Sequence, residues 1–224
     1  MISACSDDDA PSTPSEADFI AEAQRLAPSA VLTLEDLEGF DALDVTDLED
    51  RAELSAECDI FDAGVVFPEA AAIAESEAFS GPRDEQLLDY AAIYRTSEEA
   101  RADLAATRDI LDRCEDEFKD TVEGVAREEL ERLGLDLGIF AKIDVSIATY
   151  DPPKAGEEIV GYRMNVEVDL IATRQQYNLD VMVIREGRVL GALLYGKFGE
   201  VNPDAEALLL ERATARLAAT DQEL

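Results

Sequence analysis

Three cysteines are the residues of this sequence whose type and spacing could support covalent chemistry. Cys5 stands alone before an acidic stretch rich in serine and proline, whereas Cys58 and Cys114 both lie in segments with the pattern of ordered elements. A thiol can be acylated, and two thiols can be oxidised to a disulfide, which persists mainly in oxidising compartments. The distribution predicts one distinctive cysteine, Cys5, and one pair, Cys58 and Cys114.

A bond between Cys58 and Cys114 would close a loop spanning 56 positions. On the chain-entropy model, such a loop could stabilise the fold by about 4 kcal/mol. The alternative is that both cysteines are buried, unreactive thiols. We predict the disulfide, and with it an extracytoplasmic location.

The sequence offers little support for catalysis. It contains no histidine, which excludes Ser-His and Cys-His nucleophile pairs and the usual zinc sites. A carboxylate pair performing glycoside hydrolysis is conceivable among 52 acidic residues, but no segment offers a distinctive pair, and there is no tryptophan to stack on a sugar. We therefore predict no catalytic residues and no cofactor.

Four aspartates recur at intervals of three, which would place them on one helical face. A metal site is one interpretation, but the calcium-loop pattern of alternating acids with a glycine and a terminal glutamate is missing. We favour a solvated acidic face and predict no metal site. The four residues are Asp41, Asp44, Asp47 and Asp50.

The charge is strongly negative and unevenly distributed. The net charge of -33 would repel nucleic acid, so we predict no nucleic-acid partner. Residues 161–200 are nonetheless neutral, with five basic and five acidic side chains, which favours a core element there. No apolar run approaches the roughly 18 residues of a membrane-spanning helix.

The first third of the chain begins with a segment too polar to fold. Residues 1–17 are predicted to be a flexible tether, and the folded domain is predicted to span 18–224. Ser15 and Asp18 have capping-box spacing and predict a helix that ends before Pro28. The same spacing of Thr33 and Asp36 predicts a helical turn, and the stretch "CDIFDAGVVF" from Cys58 predicts a strand.

The middle of the chain has the clearest helical period. Residues 87–96 predict a strand, and a helix over 96–118 is predicted to begin at a capping box of Thr96 and Glu99. A second helix is predicted from about Val122 to Leu133, ending at Gly134. The first helix has one apolar stripe, formed by Ala100, Leu104, Thr107, Leu111, Cys114 and Phe118.

The last third changes to the period of two that is typical of half-buried strands. Strands are predicted around 143–147 and 162–170, followed by a central hairpin over 179–198 that turns at Glu186-Gly187. Asn202 and Pro203 predict the start of a closing helix. These patterns predict an α+β fold, a single domain in which helices pack on one face of an antiparallel sheet.

The opening residues Ile2, Ser3, Ala4 and Cys5 resemble the end of a bacterial lipobox, in which the cysteine becomes acylated. That resemblance implies membrane anchoring through Cys5, for example by palmitate, after removal of a signal peptide. No basic and apolar signal region precedes the motif in this sequence, so the signal peptide is expected upstream of Met1. The alternative is that Cys5 occupies this position by chance.

Four further segments resemble actinobacterial sensor-domain lipoproteins similar to the extracellular domain of the mycobacterial serine/threonine kinase H. They are "AVLTLEDLEGF", "AIYRTSEEARADLAATRDILDRC", "LDVMVIREGRVLGALLYGKF" and "AEALLLERATARLA". The resemblance implies an antiparallel sheet packed by helices, a disulfide from helix cysteine Cys114 to Cys58, and a V-shaped cleft for an unknown ligand. This sequence lacks the cysteines of a second disulfide and a tryptophan often found near the helix cysteine.

Together these features predict a membrane-anchored, extracytoplasmic ligand-binding or sensor-like lipoprotein that is not an enzyme. The alternative is a structural or partner-binding lipoprotein of the cell envelope. A ligand is expected on the sheet face formed by 143–150, 162–174 and 179–198, where a neutral or apolar molecule would avoid the surrounding negative field. The candidate ligand contacts are Tyr150, Tyr162, Tyr177 and Tyr195. The alternative is that these tyrosines pack in the core or at its rim.

Overall fold

The computed structural model describes residues 15–43, 55, 57–59, 62–132, 141–170 and 173–224. A 3-10 turn at Leu34–Asp36 follows the first helix. The helices are Glu16–Ala30 (α1), Ala63–Val66 (α2), Ser97–Arg113 (α3), Glu115–Arg132 (α4) and Pro203–Glu223 (α5). The strands are Asp41–Ala42 (β1), Ala72–Glu75 (β2), Phe79–Ser80 (β3), Gln86–Ile93 (β4), Ala141–Tyr150 (β5), Glu158–Leu170 (β6), Thr173–Glu186 (β7) and Val189–Phe198 (β8).

The strands form one antiparallel sheet in the order β1-β3-β4-β8-β7-β6-β5, and β2 pairs with β4. Strands β7 and β8 lie in the middle of this sheet, as their apolar composition predicted. The predicted α+β class and antiparallel sheet are confirmed. Consecutive strands from β5 to β8 are neighbours, so most of the sheet follows from short hairpin connections.

Helices cover both faces of the sheet, so the prediction of helices on one face is wrong. Helices α1 and α5 pack on one side, which we call the α5 face, and α3 packs with α4 on the other, which we call the α3 face. Side chains alternate along a strand, and β8 is buried on both sides: Leu193 joins the core under α5, and Leu194 joins the core under α3. A sheet that is apolar on both faces needs cover on both.

Helix α1 continues through Pro28 to Ala30, so the prediction that it ends before Pro28 is wrong. The proline lies in the last turn, where its missing N–H removes one hydrogen bond near the helix end. Leu26, Ala27 and Ala30 are buried against the sheet, and this packing outweighs the local cost. The capping box at Ser15 and Asp18 is present, as predicted.

The described residues between Cys58 and Phe67 do not form the predicted strand, and Ile60 and Phe61 lie outside the described residues. Cys58 lies in a turn, and α2 forms one helical turn capped by Asp62, whose side chain accepts a hydrogen bond from Gly64 N at 2.8 Å. Thr107 of α3 donates its hydroxyl to the carbonyl of Val66 at 3.0 Å. Val66 and Phe67 therefore pack with α3 in the core of the α3 face.

The predicted helix over 96–118 is divided at Cys114, where the backbone leaves helical geometry before α4 begins. The predicted second helix therefore begins at Glu115 and not near Val122, and its predicted end at Gly134 lies outside the described residues. The capping box of Thr96 and Glu99 is confirmed. Every member of the predicted stripe is buried, since the stripe continues across the junction: Ala100, Leu104, Thr107, Leu111, Cys114 and Phe118.

Two turn regions also differ from the sequence expectation. The β7–β8 hairpin turns at Gly187 and Arg188, one residue later than predicted, and Gly187 has the positive φ that this position requires. Asp41 belongs to strand β1 instead of a helical face, whereas Asp44, Asp47 and Asp50 lie outside the described residues. The closing helix begins at Asn202 and Pro203 as predicted.

The described residues contain neither a membrane-spanning helix nor a cluster of metal ligands. None of their helices is both long and apolar enough to cross a membrane. They also contain no group of three acidic or thiol ligands placed to hold a metal ion.

Candidate ligand site on the α5 face of the sheet

A disulfide joins Cys58 to Cys114, the pair predicted from the sequence. It connects the turn before α2 to the junction between α3 and α4. The backbone N–H and hydroxyl of Ser55 add a second connection by donating to the Glu117 carboxylate at 2.6 and 3.0 Å. The predicted lipidation residue, Cys5, lies outside the described residues.

The four candidate tyrosines do not form one cluster, because they are divided between the two faces of the sheet. Tyr150 and Tyr195 belong to the α5 face, whereas Tyr162 and Tyr177 belong to the α3 face. Tyr195 and Tyr162 are buried, and Tyr150 and Tyr177 are partly buried. Any single ligand on the sheet could therefore contact at most one of these two pairs.

The two tyrosines of the α3 face are integrated into the packing there. The hydroxyl of Tyr162 donates to Asp112 of α3 at 2.9 Å, and burial raises the pKa of Tyr162 to about 12. Tyr177 packs edge to face on Phe198 with 5.1 Å between ring centroids, and burial raises its pKa to about 12. Both contacts are those of structural tyrosines.

On the α5 face, Arg163 is the centre of a charged group that we call the Arg163 cluster, formed with Tyr150, Asp180 and Glu206. The guanidinium of Arg163 binds Asp180 through two hydrogen bonds of 2.6 and 2.8 Å and lies 3.5 Å from a Glu206 oxygen. Tyr150 donates its hydroxyl to Glu206 at 2.7 Å, and its ring centroid is 4.3 Å from the Arg163 guanidinium carbon. Strands β5, β6 and β7 and helix α5 each supply one member.

Burial controls the electrostatics of the Arg163 cluster. Asp180 is fully buried, and the side chain of Glu206 is 4% exposed, whereas that of Arg163 is 32% exposed. Burial raises the pKa of Glu206, an effect that the Tyr150 hydrogen bond and the Arg163 charge oppose and the Asp180 charge reinforces. The hydrogen bonds to Asp180 raise the pKa of Arg163, so this cation is permanently charged. Arg163 is thus the member of the cluster that reaches solvent.

Beside the cluster, strand β5 has an uncovered α5 face. Its side chains on that face are exposed, whereas Ile143, Val145 and Ile147 pack against the core of the α3 face. We call the uncovered surface of β5 and β6, bounded by the Arg163 cluster, the open strip. The exposed β5 side chains of the strip are Lys142, Asp144, Ser146 and Ala148.

The charges along and beside the open strip occur in pairs. Lys142 lies 3.5 Å from Asp144, and Arg174 contacts Asp169 at 2.6 Å and Glu167 at 3.4 Å. These contacts offset part of the negative charge along the open strip.

Amide side chains follow the cluster along the same face. Asn178 donates to the carbonyl of Gly199 at 2.7 Å, and its register partner on β6 is Asn165. The Oδ1 atom of Asn165 is buried and has no hydrogen-bond partner among the described residues. An unpaired buried acceptor is costly, so the packing around Asn165 leaves one polar group unsatisfied beside the Arg163 cluster.

The sequence prediction included Tyr150 but not the charged residues that surround it. Arg163 and Asp180 occur in strands as ordinary alternating polar residues, which do not reveal their burial. Glu206 could have been noticed, since it lies four residues before Leu210 and so belongs to the buried stripe of α5. An acid on an apolar stripe indicates a buried partner.

Known proteins similar to this chain occur among solved structures. No family model matches the chain, and no curated protein matches it in sequence. Among solved structures, it is similar to the extracellular domain of PknH from Mycobacterium tuberculosis, with a TM-score of 0.47 and 10% sequence identity over 90% of this chain and 97% of that chain. The four sequence segments quoted above resemble the same domain.

Proposed function

We propose that this protein is a membrane-anchored, extracytoplasmic ligand-binding or sensor-like lipoprotein module without catalytic activity. Its ligand binds on the α5 face, on the open strip beside the Arg163 cluster. The observation that supports this site best is an uncovered stretch of sheet that borders buried, fixed polar groups. Sites for small molecules combine such preformed polar groups with accessible surface.

The proposed ligand is neutral and polar. Each cation described on or beside the open strip already has a carboxylate partner, so an anion would gain little and would meet the field of a chain with net charge -33. The exposed edge of Arg163 can donate a hydrogen bond, and the exposed hydroxyl of Ser146 on β5 can donate or accept one. A hydroxyl or amide group on the ligand would satisfy both.

The extracytoplasmic location is supported by the disulfide of Cys58 and Cys114, since such bonds persist mainly in oxidising compartments. Anchoring through Cys5 is supported by the lipobox-like residues before it. A single acyl chain binds membranes only weakly, so a stable anchor requires at least two chains on the mature cysteine.

The site is tested by isolating the protein from native membranes and identifying its bound small molecules by mass spectrometry. In the Ala148→Trp variant an indole covers the open strip, and we expect the bound molecule to be lost. The matched control is Thr149→Trp, because Thr149 is the next residue of β5, is exposed and faces the opposite side. It should retain the molecule.

Two results would contradict the proposed site. One is equal retention of the bound molecule by the Ala148→Trp and Thr149→Trp variants. The other is a set of ligand-induced chemical-shift changes confined to residues 18–60. Recovery of another envelope protein in place of a small molecule, abolished by Ala148→Trp, would assign the same surface to partner binding instead.

A further inference from the structure

A separate open groove of about 660 Å³ lies at the edge of the molecule where α1, the end of β4 and α3 meet. It contains none of the four tyrosines and none of the Arg163 cluster. Its volume is within the range of about 300–1,000 Å³ that is usual for small-molecule sites. Four small or aliphatic side chains form its apolar wall: Ile20, Ala71, Ala102 and Ala106.

The charged residues of the groove leave it with an excess of negative charge. Among the described residues that line the groove, Arg95 is the one cation, and its guanidinium is already 3.4 Å from Glu16. Glu99 accepts hydrogen bonds from the backbone N–H groups of Arg95 and Thr96 at the start of α3, each at 3.1 Å. These contacts occupy two of the four acids in the groove.

The other two acids are Asp103 and Glu69. Asp103 is buried and accepts the Tyr94 hydroxyl at 2.5 Å, which holds its carboxyl group in place at the groove. The carboxylate of Glu69 is exposed and has neither an ion pair nor a hydrogen bond with the described residues. Glu69 is therefore the acid that is available to a ligand.

We propose that this groove binds a small organic cation of the alkylammonium type. The ammonium group donates hydrogen bonds to the Glu69 carboxylate and lies in the negative field that Asp103 and Glu99 reinforce. The alkyl chain lies along Ile20, Ala102 and Ala106. Charge complementarity selects the cation, and the apolar wall distinguishes an organic cation from an inorganic one.

The test uses hexylammonium as the probe and follows the methyl resonances of the isoleucines by NMR. We expect saturable shifts of Ile20 and none of Ile143, a residue of β5 that packs on the α3 face. Hexylammonium should bind at least about tenfold more tightly than methylammonium, because its chain buries additional methylene groups. Hexanoate, of the same length but negative, should not bind.

Two pairs of variants test separately how the apolar wall and the negative charge contribute to binding. Ala102→Trp fills the groove and should abolish binding, whereas Ala105→Trp, on an exposed position of the same helix, should leave it unchanged. Glu69→Gln should weaken binding roughly two- to fivefold, as expected for one exposed ion pair. Glu77→Gln, an exposed acid outside the groove, should have no effect.

The proposal is wrong if hexylammonium and methylammonium bind equally, which would show only general attraction to an acidic surface. It is also wrong if Ala102→Trp, shown to be folded by circular dichroism, still binds the probe. The groove shares no residue with the open strip. If hexylammonium does not bind the groove, the proposed function is therefore unaffected. Loss of the native ligand in Ala148→Trp likewise does not bear on the groove.

Discussion

The ring of Tyr150 occupies the space that a side chain at position 161 would need. Tyr150 and Gly161 are register partners on β5 and β6, and a β-carbon on Gly161 would lie 2.8 Å from Cε1 of Tyr150. The missing side chain lets the tyrosine lie flat against β6, where its hydroxyl reaches Glu206 and its ring contacts Arg163. Gly161 is thus part of the Arg163 cluster although it has no functional group.

We expect Gly161→Val to displace Tyr150 and to lower the free energy of unfolding by about 1–3 kcal/mol, the usual cost of overpacking. Thermal unfolding measures the loss. Gly124→Ala is the matched control, because the position is helical with open space around it, and it should raise stability by up to about 1 kcal/mol. Losses from Gly161→Val and Tyr150→Ala that add fully in the double variant would contradict this packing relationship and would assign the clash to the Pro152 ring, whose Cδ lies 2.9 Å from the same β-carbon.

Reduction of the disulfide, or the change Cys58→Ser, should lower the free energy of unfolding by about 2–5 kcal/mol. The bond closes a loop spanning 56 positions and joins the turn before α2 to the α3–α4 junction. Urea unfolding with and without reductant measures the change, and Cys5→Ser should have no effect. Peptide mapping that found Cys5 joined to either partner would show that the pairing is wrong.

The buried carboxyl group of Asp89 makes the free energy of unfolding depend on pH. It is fully buried on β4 and accepts a hydrogen bond from Leu32 N at 2.7 Å, with Asp36 and Arg216 facing it. Burial raises the pKa of Asp89 to about 8, above the value of about 3.9 for an unfolded chain. Between these two pH values the folded protein retains a proton that the unfolded protein releases. Asp89 therefore lowers the free energy of unfolding as pH rises from about 4 to about 8.

The Asp89→Asn variant should not lose stability in this way, because an amide oxygen can accept the Leu32 hydrogen bond without ionising. We expect the stability of wild type relative to Asp89→Asn to fall steadily from pH 5 to pH 8, measured by urea unfolding. Comparison with the variant cancels the general repulsion among the acidic residues. Asp84→Asn, at an exposed position, should track wild type throughout. A difference that stayed constant or rose with pH would exclude a raised pKa at Asp89.

Lipidation of Cys5 is tested by expressing the gene with its natural upstream region in an actinobacterium. We expect mass spectrometry to find Cys5 as the acylated first residue and the protein in the membrane fraction. Cys5→Ala should move it to the soluble fraction, while Ser12→Ala, in the same polar stretch, should leave it membrane-bound. An intact Met1 and a free Cys5 thiol in native material would contradict the prediction that Cys5 anchors the protein.

Local features of the fold could be predicted because each depends on residues close together in the chain. The helix starts at Ser15, Thr96 and Asn202 each involve hydrogen bonds within three residues. The strands from β5 to β8 follow from alternation and one tight turn. The pairing of Cys58 with Cys114 could be predicted because both lie in segments with the pattern of ordered elements, whereas Cys5 lies beside a polar stretch.

The sequence by itself thus determined the strand and helix periods, the helix caps and the pairing of cysteines. Only the tertiary structure decided that helices cover both faces of the sheet, that Pro28 stays within α1, and that the candidate tyrosines separate into two pairs. It also brought Arg163 and Asp180 from neighbouring strands together with Glu206 from α5. Such contacts depend on which side chains are buried and on which side of the sheet each helix packs. Both are decided by packing between segments that are far apart in the chain.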